Sequence, residues 1–237
     1  MMLKKGLAGS IEVPILFGIS GHRNIFNEDA KRAAKVLSRV IKNYRKNYAD
    51  TPFVFITPLA DGADCIAARS ALDADSNLTL LVVYPYNTIE YAKTISTNWL
   101  PDFENLGSGN RVVKTINLDE NLIPKNEEER IDQYRKVGHF VAVNSHILFV
   151  FKDKQGSRDD GGTAEIQEFR RNGCINYRIL DDHKIQCAEE GLMYEIRVRK
   201  PDDKLSTKPS SVDDFYYFTP NIGGSQRSVN ASKALGI

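Results

Sequence analysis

The sequence predicts an α/β fold of the Rossmann-like, doubly wound kind, in which helices cover both faces of a mainly parallel sheet. Three observations predict it. Short apolar runs recur along the chain without polar alternation, which is typical of strands buried on both faces. Amphipathic helical patterns separate these runs. Turns rich in glycine and polar residues follow several of the runs directly, at the carboxyl ends where such sheets bind ligands.

The first half of the chain repeats the order strand, turn, helix. Asn27 is a candidate N-cap for the first helix, whose apolar residues then recur at spacings of three and four up to Tyr44. The second helix is rich in alanine. The predicted strands are 13–19, 53–56 and 78–83, and the predicted helices are 27–44 and 63–74.

The pattern weakens between residues 87 and 126 and then becomes regular again. In the weak region we predict a short helix at 89–99, a loop marked by Pro101, Gly107, Ser108 and Gly109, and a strand at 111–116. Beyond it we predict helices at 127–144 and 164–171 and strands at 147–151 and 193–198.

Length and composition suggest one domain with short additions. The chain has 237 residues and 41% hydrophobic content, enough for a sizeable core. We expect an N-terminal extension at 1–11, a domain at 12–200, and a linker or tail at 201–237. Within the tail, 214–218 either adds an edge strand or docks on the domain.

Charge and cysteine usage restrict the partners and the compartment that we expect. A net charge of +1 favours neither nucleic acid nor a membrane surface as a partner. No apolar run is long enough for a membrane span. Cys65, Cys174 and Cys187 lack metal-type spacing and fit ordinary thiols in a reducing cytosol, so we expect a cytoplasmic protein.

One turn that predicts contact with a phosphate consists of Gly161, Gly162 and Thr163. It follows the strand at 147–151 and opens a helix. The glycines let the backbone approach a ligand, the helix N-terminus attracts an anion, and the Thr163 hydroxyl adds a donor. The alternative is an ordinary helix start, in which Gly162 is the N-cap and Glu165 complements the helix dipole.

A second turn with the same layout follows the first strand and consists of Ser20, Gly21, His22 and Arg23. Here Gly21 opens the backbone, Arg23 or Ser20 contacts phosphate oxygens, and His22 donates to a phosphate or a ribose hydroxyl. Alternatively, Arg23 pairs with a nearby acid, Glu28 or Asp29, and His22 packs within the turn.

The turns after the second and third strands carry further candidates. Asp61, Gly62 and Asp64 either bind ribose hydroxyls through a carboxylate or cap the next helix. Tyr86 and Tyr91 either stack on a base or pack in the core. Asp159 and Asp160 are weak candidates for Mg²⁺, and no cofactor is required by the sequence.

Four motifs together resemble the SLOG superfamily, which links the DNA-processing protein DprA with the LOG phosphoribohydrolases. They are 18–23 (GISGHR), 57–64 (TPLADGAD), 144–146 (NSH) and 161–164 (GGTA), and the resemblance covers about residues 12 to 200. It is closest to SLOG sensor domains of bacterial conflict systems. The resemblance implies a cytosolic domain that senses a nucleotide or an ADP-ribose-type molecule, self-associates, and acts through a fused or separate effector.

The sequence departs from the LOG hydrolase signature, Pro-Gly-Gly-x-Gly-Thr-x-x-Glu. Asp160 stands at the proline position, the glycine stretch is shorter, and Glu165 follows Thr163 by two positions rather than three. One residue turns a helical side chain by about 100°. We therefore expect binding and sensing of a small nucleotide, with no nucleic acid and no membrane as partners. The alternative is a LOG-like hydrolase that cleaves the N-glycosidic bond of a nucleoside monophosphate with Glu165 as its acid.

Overall fold

The computed structural model describes residues 12–153, 162–172, 192–201, 215–218 and 228–230. The strands are β1 Ile15–Gly21, β2 Phe53–Thr57, β3 Thr79–Tyr84, β4 Val112–Asn117, β5 Ile147–Lys152, β6 Leu192–Arg197, β7 Phe215–Phe218 and β8 Ser228–Asn230. The helices are α1 Asn27–Asn47, α2 Ala63–Ala74, α3 Thr88–Ala92, α4 Leu100–Gly107, α5 Glu127–Asn144 and α6 Thr163–Asn172.

The described strands form one sheet in the order β4-β3-β2-β1-β5-β6-β7-β8. The first six are parallel to one another, and β7 and β8 continue the sheet in antiparallel pairing. The chain moves outward from β1 to β4 and then returns to the other side of β1 with β5. Strand order therefore reverses between β1 and β5, and a crevice is expected at their carboxyl ends.

Two apolar layers cover the two faces of the sheet. One contains the buried faces of α1 and α2, which pack on aromatic residues of the strands such as Phe17, Phe55 and Phe149. The other contains α5 and α6, which pack on Leu148, Val150 and their neighbours. Parallel strands covered on both faces confirm the predicted doubly wound α/β class.

Three local predictions are wrong. We expected a loop at Leu100–Gly107, but helix α4 occupies these residues. Pro101 is tolerated because it lies in the first turn of the helix, where a missing N–H costs nothing. The short helix expected at 89–99 ends at Ala92. Asn27 is the first residue of α1 rather than its cap, and Phe26 stands at the N-cap position without a side-chain hydrogen bond.

Some predictions concern residues outside the described ranges. They include Gly161, the Asp159 and Asp160 pair, and the cysteines at 174 and 187. Cys65, which is described, is a buried free thiol. Within the described residues, no helix is both long enough and apolar enough to cross a membrane.

Candidate functional site

A cavity of about 500 Å³ lies at the carboxyl ends of β1, β2 and β3, and we call it the strand-end cavity. The turns after these strands form one side, and α5 with the start of α6 forms the other. It lies beside the reversal of strand order between β1 and β5. Both its position and its volume are typical of sites for small ligands.

The turn after β1 lines the cavity with all four of its predicted residues, Ser20, Gly21, His22 and Arg23. A Cβ at Gly21 would lie 2.4 Å from the Cβ of Ala63 and 2.9 Å from that of Phe151, so only glycine fits there. The backbone N–H of His22 donates to the Phe151 carbonyl at 3.2 Å. The turn is therefore held between β5 and the start of α2.

Gly62 joins this turn to the one after β2. Its φ is +71°, and a Cβ on it would lie 2.0 Å from the carbonyl oxygen of Arg23. The next residue, Ala63, donates its N–H to the His22 carbonyl at 3.1 Å. The structure thus gives Gly62 a role in the close approach of two turns, and it lies on a neighbouring groove rather than on the strand-end cavity.

Arg23 supplies a cationic side chain to the cavity. Its guanidinium carbon lies 5.0 Å from the ring centroid of Tyr134, over the ring face. Burial acts to lower the pKa of Arg23, but neighbours that include Tyr91 and Tyr134 together raise it above its ordinary value. The alternative pairing with Asp29 is not realised, because Asp29 accepts a hydrogen bond from Nε of Arg199 at 2.9 Å.

His22 connects the cavity to the segment after β6. Its Nε2 lies 3.6 Å from Oδ1 of Asp153, and the other oxygen of Asp153 lies 3.1 Å from the ammonium of Lys200. Burial lowers the pKa of His22 below its ordinary value, and the charge of Lys200 lowers it further. The imidazole is therefore neutral at pH 7 and suited to hydrogen bonding rather than to charge pairing.

The two acids of the turn after β2 have different surroundings. Both carboxylate oxygens of Asp61 accept from the backbone N–H of Ser96, at 3.3 and 3.2 Å. Asp64 lines the cavity, and its Oδ2 accepts from the N–H of Ala60 at 3.3 Å. Neither caps α2, whose N-cap position is taken by Gly62 without a side-chain hydrogen bond. Burial raises the pKa of Asp64 to about 8.

The backbone before Asp64 has an unusual conformation. Leu59 has a φ of 56°, the one positive value among the described residues other than glycine. Its neighbours Pro58 and Ala60 both line the cavity, while its own side chain is buried in the core. Left-handed conformations of bulky residues are strained and are found preferentially at functional sites.

Of the two tyrosines proposed for stacking, Tyr91 lines the cavity and Tyr86 does not. Tyr86 is buried behind the wall, where its hydroxyl lies 3.4 Å from the hydroxyl of Tyr134. Tyr134, on α5, does line the cavity, and it was not among the candidate residues predicted from the sequence. Tyr91 is only 1% exposed, so the aromatic surface open to a ligand comes mainly from Tyr134.

The start of α6 brings Gly162 and Thr163 to the cavity. Helix α6 reaches this position because α5 carries a glycine where the two helices meet. A Cβ at Gly138 would lie 2.4 Å from Cδ1 of Ile166. The first N–H groups of α6 have no partner within the helix, and they give this wall a positive potential.

Glu165 lies on α6 but faces α5 rather than the cavity. Its Oε1 accepts from Nε of Arg135 at 2.9 Å, and Nε2 of His139 lies 4.0 Å from the same oxygen. Burial lowers the pKa of His139 to about 4, so the imidazole is neutral at pH 7. The carboxylate of Glu165 thus has a cationic partner, and it is not among the residues that line the cavity.

A second depression of about 490 Å³ lies between α1 and α2, and we call it the helix groove. Arg23 borders it as well as the cavity, and its walls include Lys31, Arg69 and Trp99. Arg69 forms an ion pair with Asp102. Across the whole described part of the chain, no group of three or more His, Cys, Asp or Glu side chains is arranged to hold a metal ion.

Comparison with known proteins gives a likeness to solved structures but none to a curated sequence. No family model and no curated protein sequence matches the chain. Among solved structures, DNA processing protein A from Helicobacter pylori is similar at 16% sequence identity and a TM-score of 0.41. The likeness covers 65% of this chain and 60% of that one, so the chain spans less than two thirds of the similar protein.

This comparison corrects one expectation. We expected no nucleic-acid partner, and that exclusion is wrong, because the similar protein is described as binding single-stranded DNA. The exclusion depended on a net charge of +1 for the whole chain. Net charge averages over the surface and does not describe the potential at one cavity, where the few charged side chains that line it and a helix N-terminus determine the local field.

Proposed function

We propose that the strand-end cavity binds a small anionic nucleotide, such as a nucleoside monophosphate or an ADP-ribose-type molecule. One observation carries the proposal: Arg23 and the N-terminus of α6 line the same cavity. A guanidinium offers paired charged donors to phosphate oxygens, and a helix N-terminus offers backbone N–H groups and a favourable dipole. The two are far apart in the sequence, at Arg23 and Thr163, so their meeting is a property of the fold.

The rest of the cavity suits the remainder of a nucleotide. Tyr134 offers aromatic surface to a base, and Ser20 and Thr163 offer hydroxyl groups to ribose or phosphate. A volume of about 500 Å³ lies within the range of sites for ligands of this size.

We propose further that the ligand is a signal rather than a substrate. The acid that a LOG-like hydrolase needs would be Glu165, and this carboxylate is bound by Arg135 outside the cavity wall. The four motifs that resemble SLOG sensor domains support a signalling or defence setting in bacteria. The hydrolase remains the rival function, and it predicts release of a free base.

The test is a thermal-shift screen of the purified protein with nucleoside monophosphates, NAD, ADP-ribose and cyclic ADP-ribose isomers, followed by mass spectrometry of each mixture. A ligand at 100 times its dissociation constant stabilises the folded state by about 2.7 kcal/mol. We expect at least one of these compounds to raise the unfolding temperature and to be recovered intact. The absence of any shift would reject the proposal, and conversion to a free base would favour the hydrolase.

A further inference from the structure

Two carboxyl groups and one guanidinium meet where the turns after β1 and β2 join. Asp61 and Asp64 are three residues apart, and both lie within electrostatic reach of Arg23. Both carboxyl oxygens of Asp61 accept from the Ser96 N–H. Asp64 is only 5% exposed, and that exposure is toward the cavity that it lines.

One carboxyl oxygen of Asp64 forms no hydrogen bond with the described residues. Its Oδ2 accepts from the Ala60 N–H, and its Oδ1 takes no hydrogen bond from the residues that the structure describes. Neither oxygen forms an ion pair of 4.0 Å or less with a described lysine, arginine or histidine. If Asp64 were ionised, its carboxylate would lack the hydrogen-bond donors that normally compensate the burial of a charge. A neutral carboxylic acid needs fewer hydrogen-bond donors.

Charge balance also favours the acid. If Asp61 and Asp64 were both ionised, they would outnumber Arg23 and oppose an anionic ligand. If Asp64 is neutral, Arg23 balances Asp61, and the dipole of α6 leaves the cavity favourable to anions. Burial raises the pKa of Asp64 to about 8, with Asp61 acting in the same direction and the Ala60 N–H and Arg23 against it.

The other titratable groups near Asp64 do not change this balance near neutral pH. Burial raises the pKa of Tyr91 well above its ordinary value and raises that of the Cys65 thiol, so both stay neutral. His22, from the turn after β1, has a lowered pKa and is neutral as well. At the mouth of the cavity, Glu127 accepts a hydrogen bond from Nε of Arg130 at 2.8 Å.

We propose that Asp64 is a specificity-determining residue of the strand-end cavity. Its side chain contacts the ligand as a neutral carboxylic acid and donates a hydrogen bond from Oδ1 to an acceptor oxygen of that ligand. This inference depends on the proposed function of the cavity. It narrows the ligand class to molecules that place a phosphate or carbonyl oxygen at Asp64. A pair of ribose hydroxyls would instead favour the ionised form of Asp64, whose carboxylate would accept hydrogen bonds from them.

The two possibilities differ in how affinity depends on pH. A ligand held by the acid must keep the proton in place, so its affinity falls as pH rises above the pKa of free Asp64. A ligand held by the carboxylate must displace the proton, so its affinity rises with pH up to that pKa. Each follows from proton linkage with a limiting slope of about tenfold per pH unit.

The experiment measures the dissociation constant of ADP-ribose by calorimetry between pH 6.5 and 9.5. The pyrophosphate of ADP-ribose keeps a constant charge over this range, so the probe does not titrate. For the wild-type protein we expect a constant value below about pH 7.5 and weakening that approaches tenfold per unit above about pH 8. Constant affinity across the range, or affinity that rises with pH, would overturn the inference.

Asp64→Asn is the decisive variant. Its amide keeps an acceptor for the Ala60 N–H and offers an N–H donor in place of the acid proton. We expect its affinity to be independent of pH between about 6.5 and 9.5, since a neutral amide cannot ionise. Asp73→Asn, on the helix groove, is the matched control and should keep the wild-type profile. If Asp64→Asn also keeps that profile, another group is responsible and the inference fails.

Infrared spectroscopy separates this inference from the proposed function. A neutral Asp64 gives a carboxylic-acid carbonyl band at pH 7 in the free protein, and this band is absent from Asp64→Asn. If the band is present and no nucleotide binds, the proposed function fails, and the recognition role of Asp64 fails with it, while its neutral state stands. If nucleotides bind but the band is missing, only the role of Asp64 as a donor is rejected.

Discussion

The strand-end cavity and the helix groove are nearly equal in volume, about 500 and about 490 Å³, and Arg23 borders both. They differ in what surrounds them. The cavity is built from the carboxyl ends of strands and the N-terminus of α6, where backbone N–H groups and dipoles point outward. The groove is built mainly from the sides of α1 and α2, where the backbone groups are bonded within the helices, and loop residues such as Asn24 and Pro201 complete it.

The polar side chains of the two sites differ in the same way. In the groove, Arg69 is paired with Asp102, and the Ser70 hydroxyl donates to the Ala34 carbonyl at 2.7 Å. In the cavity, Oδ1 of Asp64 takes no hydrogen bond from the described residues, and Arg23 lies against an aromatic face. The comparison teaches that two depressions of equal volume can differ in chemistry, and that a buried polar group without a described protein partner distinguishes the cavity from the groove.

The largest effect is expected at Gly62, which holds the wall between the two sites. Gly62→Ala places a Cβ 2.0 Å from the Arg23 carbonyl oxygen at a φ of +71°, so the two turns must separate. We expect a loss of about 3 kcal/mol or more in the free energy of unfolding, measured by urea denaturation. Gly109→Ala, whose Cβ would lie 3.1 Å from the nearest atom, is the control and should cost less than about 1 kcal/mol. Equal costs would mean that the turns are not held together in this way.

A smaller but more discriminating effect is expected from the arginines. Arg23→Met removes the charge of the cavity and should weaken ADP-ribose binding about 10- to 100-fold, since a charged hydrogen bond contributes about 1.5–3 kcal/mol. Arg69→Met, in the groove, should change affinity less than about twofold. Calorimetry at pH 7 measures both.

Because Arg23 borders both sites, a third variant is needed to assign the effect to the cavity. Thr163 lines only the cavity, and Thr163→Val removes its hydroxyl with little change of shape. We expect about 2- to 10-fold weaker binding, the usual range for a neutral hydrogen bond. A loss with Arg69→Met and none with Thr163→Val would move the site to the groove.

Most of the fold was predictable because buried parallel strands are continuous apolar runs. The predicted strand at 147–151 and helix at 127–144 agree with β5 and α5, and the α/β class follows from their alternation. Helix α4 was not predictable in the same way, because Pro101 and Gly107 are also signals for a loop. Whether a proline starts a helix or ends one depends on the residues that pack beside it.

The location of the cavity was predictable, but its complete lining was not. Carboxyl ends of parallel strands meet at one edge of a sheet, so the sequence alone predicts that the turns at Gly21 and Gly162 lie close together. Tyr134 and Gly138 lie on the face of α5 that points toward the sheet. Residues of the core and residues that line the cavity follow the same helical spacing on this face, so spacing cannot separate them. Nor could spacing distinguish Asp64 from Asp61, because their directions depend on the left-handed turn at Leu59.

The smallest effect is expected at Glu165, and it tests the boundary of the cavity. Glu165→Gln removes one partner of the pair with Arg135, and both side chains are 20% exposed. Partly exposed ion pairs contribute little, so we expect a loss below about 1 kcal/mol in urea denaturation and ADP-ribose affinity within about twofold of wild type. The isosteric amide keeps the packing, so a larger change in affinity would place the carboxylate at the ligand.

Arg135→Gln is the control for this prediction, because it breaks the same pair from α5, and it also removes the 3.6 Å contact of Arg135 with Asp132 on its own helix. If the pair only joins the two helices, the single variants and the double variant should have similar stabilities, and the coupling energy should account for most of each loss. Suppose instead that the wild-type protein releases a free base, that Glu165→Gln abolishes this release and that Arg135→Gln preserves it. Glu165 would then act on the ligand directly, and the hydrolase would replace the sensor as the function of the cavity.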